Sequence, residues 1–407
     1  MSHTSTITSA DQFRQAFPRA SHVFEQGLAK GLHYGALVTI IHRGQWLVDV
    51  GLGRATPDTS MPAKGLFFWL SAGKPLTAVL IGRFVERGLL RWDDPVKKYW
   101  PEFGQNHKDG ITLRHLLTHT AGIRLAETGW PDVPWEQTMR QLAQATLDPH
   151  AVPGQTAGYH VMSSWFVLGE IIRRVSGLSF CTALRLMICE PAGLTQTWAA
   201  WPHNWCTEPM TKHTADQFLH KSVSSPSEDY DPHLLTGPPP QATLLPIYER
   251  QGEQLVGLGW EHTARCFRPS PGSSLRGSLE DLARFYQCLY EDLHDAGHLL
   301  TAATLREMTR RHRQGQFDVT LGQTVDFGLG FILQTPQPRL QPQVYGYGRG
   351  ASLHTFGHAG SQSSQAFLDP EHELIIAHFF NGRCGEPQHQ RRITAFNESL
   401  YFDLGIT

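Results

Sequence analysis

The sequence predicts an α+β fold: an antiparallel sheet built from both ends of the chain and flanked by helices, with a mainly helical region inserted. Three observations carry this. Strand-like hairpins stand near each end, helix-spaced apolar positions fill the middle, and 407 residues exceed what one hydrophobic core usually serves. Two cores, or one core with a large insertion, are therefore expected.

The elements follow in order. An amphipathic helix is expected over roughly 11–30. Residues 36–42 are apolar and β-branched, Arg43-Gly44-Gln45 reads as a turn, and Trp46 to Val50 as the returning strand. Helical spacing then recurs over 71–90, 111–120, 135–147, 163–176 and 278–291, where Ser278-Leu279-Glu280-Asp281 has the form of a capping box. Residues 202–250 break the pattern, with Gly237-Pro238-Pro239-Pro240 as a strong breaker; so long an irregular segment suits a lid, a binding loop or a disordered insertion. Near the end, 364–368 and 374–380 flank the turn 369–373, and a helix is expected from Ile393 to Leu404. This pattern gives a discontinuous sheet domain (1–75 and 270–407) and a helical domain (76–269).

Bulk properties exclude little but exclude it cleanly. With 35 basic against 37 acidic residues, no charge excess points to nucleic acid or to a membrane surface. No secretory signal or membrane-spanning apolar run is visible, so a cytoplasmic enzyme is expected, although an export signal removed earlier would leave the same chain. The six cysteines are scattered without a CxxC pair and read as reduced thiols. Histidines are many, but none forms HExxH or another convincing ligand set, so neither metal nor cofactor is expected. No serine has glycines on both sides as a nucleophile elbow requires, and Gly-rich phosphate loops are missing.

The chemistry centres on Phe67-Phe68-Trp69-Leu70-Ser71-Ala72-Gly73-Lys74-Pro75. Pro75 lacks an N–H and is tolerated only in a first turn, so a helix starts close to Ser71. Lys74, three residues on, then lies on the same face. A lysine serves as base only when neutral, and bringing its pKa from ~10.4 to near 7 costs about 4–5 kcal/mol. A sunken helix start supplies both burial and positive potential. Taken alone, the same four residues also describe an ordinary helix with a capping serine and a surface lysine.

Two further segments stand at telling positions: Gly158-Tyr159-His160-Val161 before the helix at Ser163, and Phe356-Gly357-His358-Ala359-Gly360-Ser361 before the final hairpin. In this order the three resemble the SxxK, YxN and KTG or HxG elements of the β-lactamase/penicillin-binding superfamily of serine hydrolases. The stretches Asp93-Asp94-Pro95-Val96 with Tyr99-Trp100-Pro101, and Ile111 to Gly122, are similar to further segments of that family. The resemblance spans about 20–400 and implies a β-lactamase/transpeptidase-like fold. It also implies roles. Ser71 is acylated, Lys74 takes its proton alone or through Tyr159, and Tyr159 shuttles the proton to the leaving group. His358 replaces the KTG lysine while keeping a hydrogen-bond donor there. Gly360 lets substrate approach the strand, and the N–H groups of Ser71 and Ser361 form an oxyanion hole. His119 is expected to pack beside the site.

The departures from pattern are informative. Val161 replaces the asparagine of YxN and cannot bind an acyl-side-chain amide. His358 removes the lysine that attracts a carboxylate. Both resemble the family VIII carboxylesterases, and point to small or medium uncharged esters, cleaved through an acyl-enzyme. Left open are an acyltransferase or thioesterase-like member, a β-lactamase or D,D-peptidase, and a catalytically idle binding protein, which intact Ser71, Lys74 and Tyr159 disfavour. Trp198, Trp201 and Trp205 are candidates for an apolar substrate pocket. The expected partner is a small-molecule ester; oligomeric state is not legible.

Overall fold

The computed structural model describes residues 5–201, 244–336 and 345–406. Its main sheet has seven strands, ordered Ile332–Leu333, Phe356–Ala359, Ser364–Asp369, Leu374–Phe380, Gly35–His42, Gln45–Thr56 and Thr59–Ser60. The two ends of the chain meet where Gly35–His42 pairs antiparallel with Leu374–Phe380, in a register that sets Ile40 opposite Ile376. The first hairpin closes through Arg43 and Gly44, both at positive φ, as a two-residue turn requires to match strand twist.

Alternation along these strands explains why they read as continuous apolar runs. Val38, Ile40, Phe367 and Ile376 enter one buried cluster, whereas Leu37, Ile41, Leu368 and Ile375 enter another. The sheet is covered on both faces. One face packs on Phe13, Phe17 and Phe24 of the N-terminal helices and on Phe396 and Leu400 of the last helix. The other packs on Leu282, Phe285 and Leu289 of the helix Leu279–Leu293, and this cluster runs on into Lys74–Glu86 and Ser163–Ser176. The two cores are thus the two faces of the sheet, and the helical region shares one of them.

Several elements differ from expectation for local reasons. The N-terminal helix is two, Ala10–Ala16 and Pro18–Ala29, because Pro18 pushes Phe17 out of helical geometry (φ −125°, ψ 63°). The 111–120 helix shrinks to Leu113–Leu117, with Thr112 as its cap. The last helix starts earlier, at Glu386. Ser278 caps its helix by accepting from the N–H of Asp281. The Asp281 carboxylate does not complete the box but accepts from Gln196 N and Thr197 Oγ1.

Trp198 and Trp201 pair with each other (ring centroids 5.5 Å apart), and Trp201 lies against the guanidinium of buried Arg276. They anchor that region and do not line the cleft at Ser71. Trp205 and most of the irregular 202–250 segment lie outside the described residues. The described cysteines are free thiols. Among the described residues no group of three or more His, Cys, Asp or Glu could hold a metal ion, and no helix is long and apolar enough to cross a membrane.

Candidate active site

The strand Leu66–Phe68 pairs with Arg276–Ser278 and delivers the chain to a tight turn, Leu70–Gly73, which runs into the helix Lys74–Glu86. Pro75 occupies the first turn of that helix, where its missing N–H costs nothing. Leu70, just before the serine, is held at φ +54°. A bulky residue tolerates this left-handed region only where its surroundings over-determine it. Here Trp69 N–H donates to Leu275 O and Ser364 Oγ donates to Trp69 O, fixing the turn from both sides.

Lys74 is fully buried, with Nζ 3.0 Å from Ser71 Oγ, 2.8 Å from Val161 O and 2.7 Å from Gly272 O. Burial holds its pKa well below the usual lysine value. A neutral amine has two N–H donors and one lone pair. A neutral Lys74 donating to Val161 O and Gly272 O would keep its lone pair for the Ser71 hydroxyl. Among the described residues no carboxylate pairs with Lys74 to hold it charged.

Tyr159 is set beside this pair by a network the sequence did not disclose. Its backbone N–H donates to Asp318 Oδ1 (3.0 Å), and Asp318 forms a buried ion pair with Arg313 (2.9 Å). Its ring lies 4.5 Å from that of His119. His119 Nδ1 accepts from His160 N–H, so this histidine positions backbone and ring, as packing beside the site requires. Burial drives the Tyr159 phenol pKa up, and the hydrogen bond with Ser71 opposes this only in part. The phenol of Tyr159 therefore stays protonated at neutral pH.

The segment around His358 departs from expectation in two ways. His358 is buried, and desolvation pushes its pKa down to about 3, so it is neutral. Its Nδ1 lies 2.9 Å from Ala359 O, a carbonyl that can only accept, so Nδ1 carries the proton. Nε2 then carries a lone pair and is itself buried without a hydrogen-bond partner, where a donor was expected. Gly360 is also needed for another reason. A Cβ there would collide with Trp69 O and Ser364 Oγ, so the glycine lets this strand pack against the turn that carries Ser71.

The N–H groups of Ser71 and Ser361 carry no protein hydrogen bond among the described residues. Ser71, Tyr159, Val161, His358 and Ser361 line one cleft of about 280 Å³, with Lys74 beneath it and Gly360 behind. Every site residue predicted from the sequence is thus brought together. Missed were Gly272, which supplies a carbonyl to Lys74, the Arg313–Asp318 pair, and the cleft residues Thr320, Leu321, Tyr345, Glu386 and Gln390. Pro271-Gly272 reads only as a turn, and the others carry no local pattern.

A serine at a helix start has a buried lysine one turn on and shares its cleft with Tyr159 and Ser361; fold and site together define a serine hydrolase. The Beta-lactamase family model matches residues 20–398, and the chain belongs to that family. It is 29% identical over 357 residues to Esterase EstB of Burkholderia gladioli, covering 81% of this chain and 83% of that one. A penicillin-binding protein homologue from Caulobacter crescentus superposes with a TM-score of 0.67 at 26% identity, covering 98% and 99% of the two chains. A family VIII carboxylesterase shares the fold with a TM-score of 0.67 at 22% identity, covering 96% and 98%.

Proposed function

We propose that this protein hydrolyses small to medium uncharged carboxylic esters through an acyl-enzyme on Ser71. The observation that carries the reading is Lys74: fully buried, without a carboxylate among the described residues, and 3.0 Å from Ser71 Oγ. Ser71 Oγ attacks the ester carbonyl as its proton passes to Lys74 Nζ. The carbonyl oxygen becomes an oxyanion held by the N–H groups of Ser71 and Ser361, each such donor being worth about 10²–10³ in rate. Collapse breaks the bond to the alcohol, which leaves with the proton returned through Lys74 and Tyr159. Water, deprotonated by the same pair, then releases the acid and restores the serine.

Ester preference is supported by Val161, which offers no side-chain amide, and by neutral His358, which offers no charge to a substrate carboxylate. The similarity to a protein named as an esterase supports it as well. The test is a panel of p-nitrophenyl esters, nitrocefin and a D-Ala-D-Ala peptide, with Ser71→Ala as control. A short-chain ester should give the highest kcat/KM, and Ser71→Ala should lose about 10⁶ in kcat. A higher kcat/KM for nitrocefin would replace the esterase reading with a β-lactamase.

A further inference from the structure

The cleft carries a charge that the ester chemistry does not use. Among its described lining residues the only one formally charged at neutral pH is Glu386, because His358 is neutral. Glu386 opens the helix Glu386–Asp403. Its oxygens lie 2.9 and 3.1 Å from one donor, the hydroxyl of Tyr345. A single hydroxyl proton satisfies one of about four lone-pair positions on a carboxylate. Among the described residues no ion pair neutralises it, and Arg383, which also acts on Tyr345, pairs through Nη1 with Glu249 at 2.7 Å. Among its described lining residues the cleft thus carries one carboxylate and no Lys or Arg.

Resting on the esterase reading above, we propose that Glu386 is a specificity-determining residue that selects esters bearing a cationic nitrogen group, and that it repels those bearing a carboxylate. A cation seated beside Glu386 gains a charge-assisted contact that an uncharged isostere cannot make. The contact is Coulombic, and for a carboxylate and a cation in a partly enclosed cleft an effect of about tenfold in kcat/KM is expected. Neutral esters remain substrates, but cationic ones are the better-matched class. The same charge adds to the loss of the KTG lysine in opposing anionic substrates.

Two matched pairs test this, one for each side of the ester. Butyrylcholine is compared with the butyrate whose tert-butyl group replaces trimethylammonium, and the p-nitrophenyl ester of γ-trimethylammoniobutanoate with its all-carbon isostere. In at least one pair the wild type should favour the cation by about tenfold in kcat/KM, and Glu386→Gln should bring that ratio to within about twofold of unity. No cation preference in either pair, or a ratio unchanged in Glu386→Gln, overturns the proposal. A second readout needs neither ester turnover nor the variant: tetramethylammonium chloride should slow fluorophosphonate labelling of wild-type Ser71 more than sodium chloride at equal ionic strength. Equal rates overturn it. Ser71-dependent hydrolysis of the neutral isosteres without cation preference would remove Glu386 and leave the esterase standing. Loss of all ester hydrolysis, with labelling still protected, would do the reverse.

Discussion

Replacing Lys74 by methionine should destroy activity and, at neutral pH, leave the protein at least as stable as before. In the folded state burial holds the Lys74 amine well below the usual pKa, whereas in the unfolded chain it titrates normally. The unfolded state therefore binds more protons, so stability rises with pH through the window up to the unfolded value of ~10.4. Lowering a lysine from ~10.4 to near 7, as a base at neutral pH requires, costs about 4–5 kcal/mol. Methionine removes that cost. It also strands the carbonyls of Val161 and Gly272 that now accept from Nζ, at about 1–3 kcal/mol each. Val161 is half-exposed, so water can take its carbonyl at the lower figure. The net is a gain of about 0–3 kcal/mol near pH 7. Urea denaturation of both proteins at pH 7 and pH 9 reads this. The stability of Lys74→Met relative to wild type should fall by about 2.7 kcal/mol between the two. Its kcat/KM toward a neutral ester should fall by about 10²–10⁴ or more. Parallel pH dependences would show that Lys74 stays protonated in the folded protein, and the base assigned here would be wrong.

Other outcomes follow from the same geometry. Tyr159→Phe should cost several powers of ten, and combining it with Lys74→Ala should cost little more than either alone, because one proton-transfer unit is lost once; multiplicative kinetics would contradict this. A fluorophosphonate should label Ser71 and no other serine, with a rate that declines as pH drops below neutrality. Peptide mapping that found the adduct on Ser163, Ser361 or Ser363 would refute the nucleophile. Gly360→Ala should lose about 1–3 kcal/mol of stability and much of its activity, since the added methyl displaces Trp69 and with it the serine turn; an unperturbed melting curve would refute that packing.

How much of this was legible beforehand depended on whether the signal was local. The hairpins at both ends, the helix at Ser163–Ser176 and the turn-to-helix start at Ser71 were readable because periodicity, turn residues and Pro75 act over a few residues. Ser71 and Lys74 were readable for the same reason: one helical turn sets their spacing. Tyr159, His358, Gly360 and Ser361 could be named from motifs, but what each does could not. Gly360 serves the packing of one strand on the serine turn, and His358 buries an unpartnered Nε2 where a donor was expected.

The sequence by itself determined the main element types, the joining of both chain ends in one sheet and the pairing of Ser71 with Lys74. Only the tertiary structure decided the protonation chemistry and the cleft. Whether Lys74 is neutral depends on total burial and on two carbonyls 87 and 198 residues away in the chain. Asp318, Glu386 and Tyr345 join the site from segments with no signature of their own. Desolvation and long-range hydrogen bonds are properties of the packed molecule, and a one-dimensional pattern carries neither.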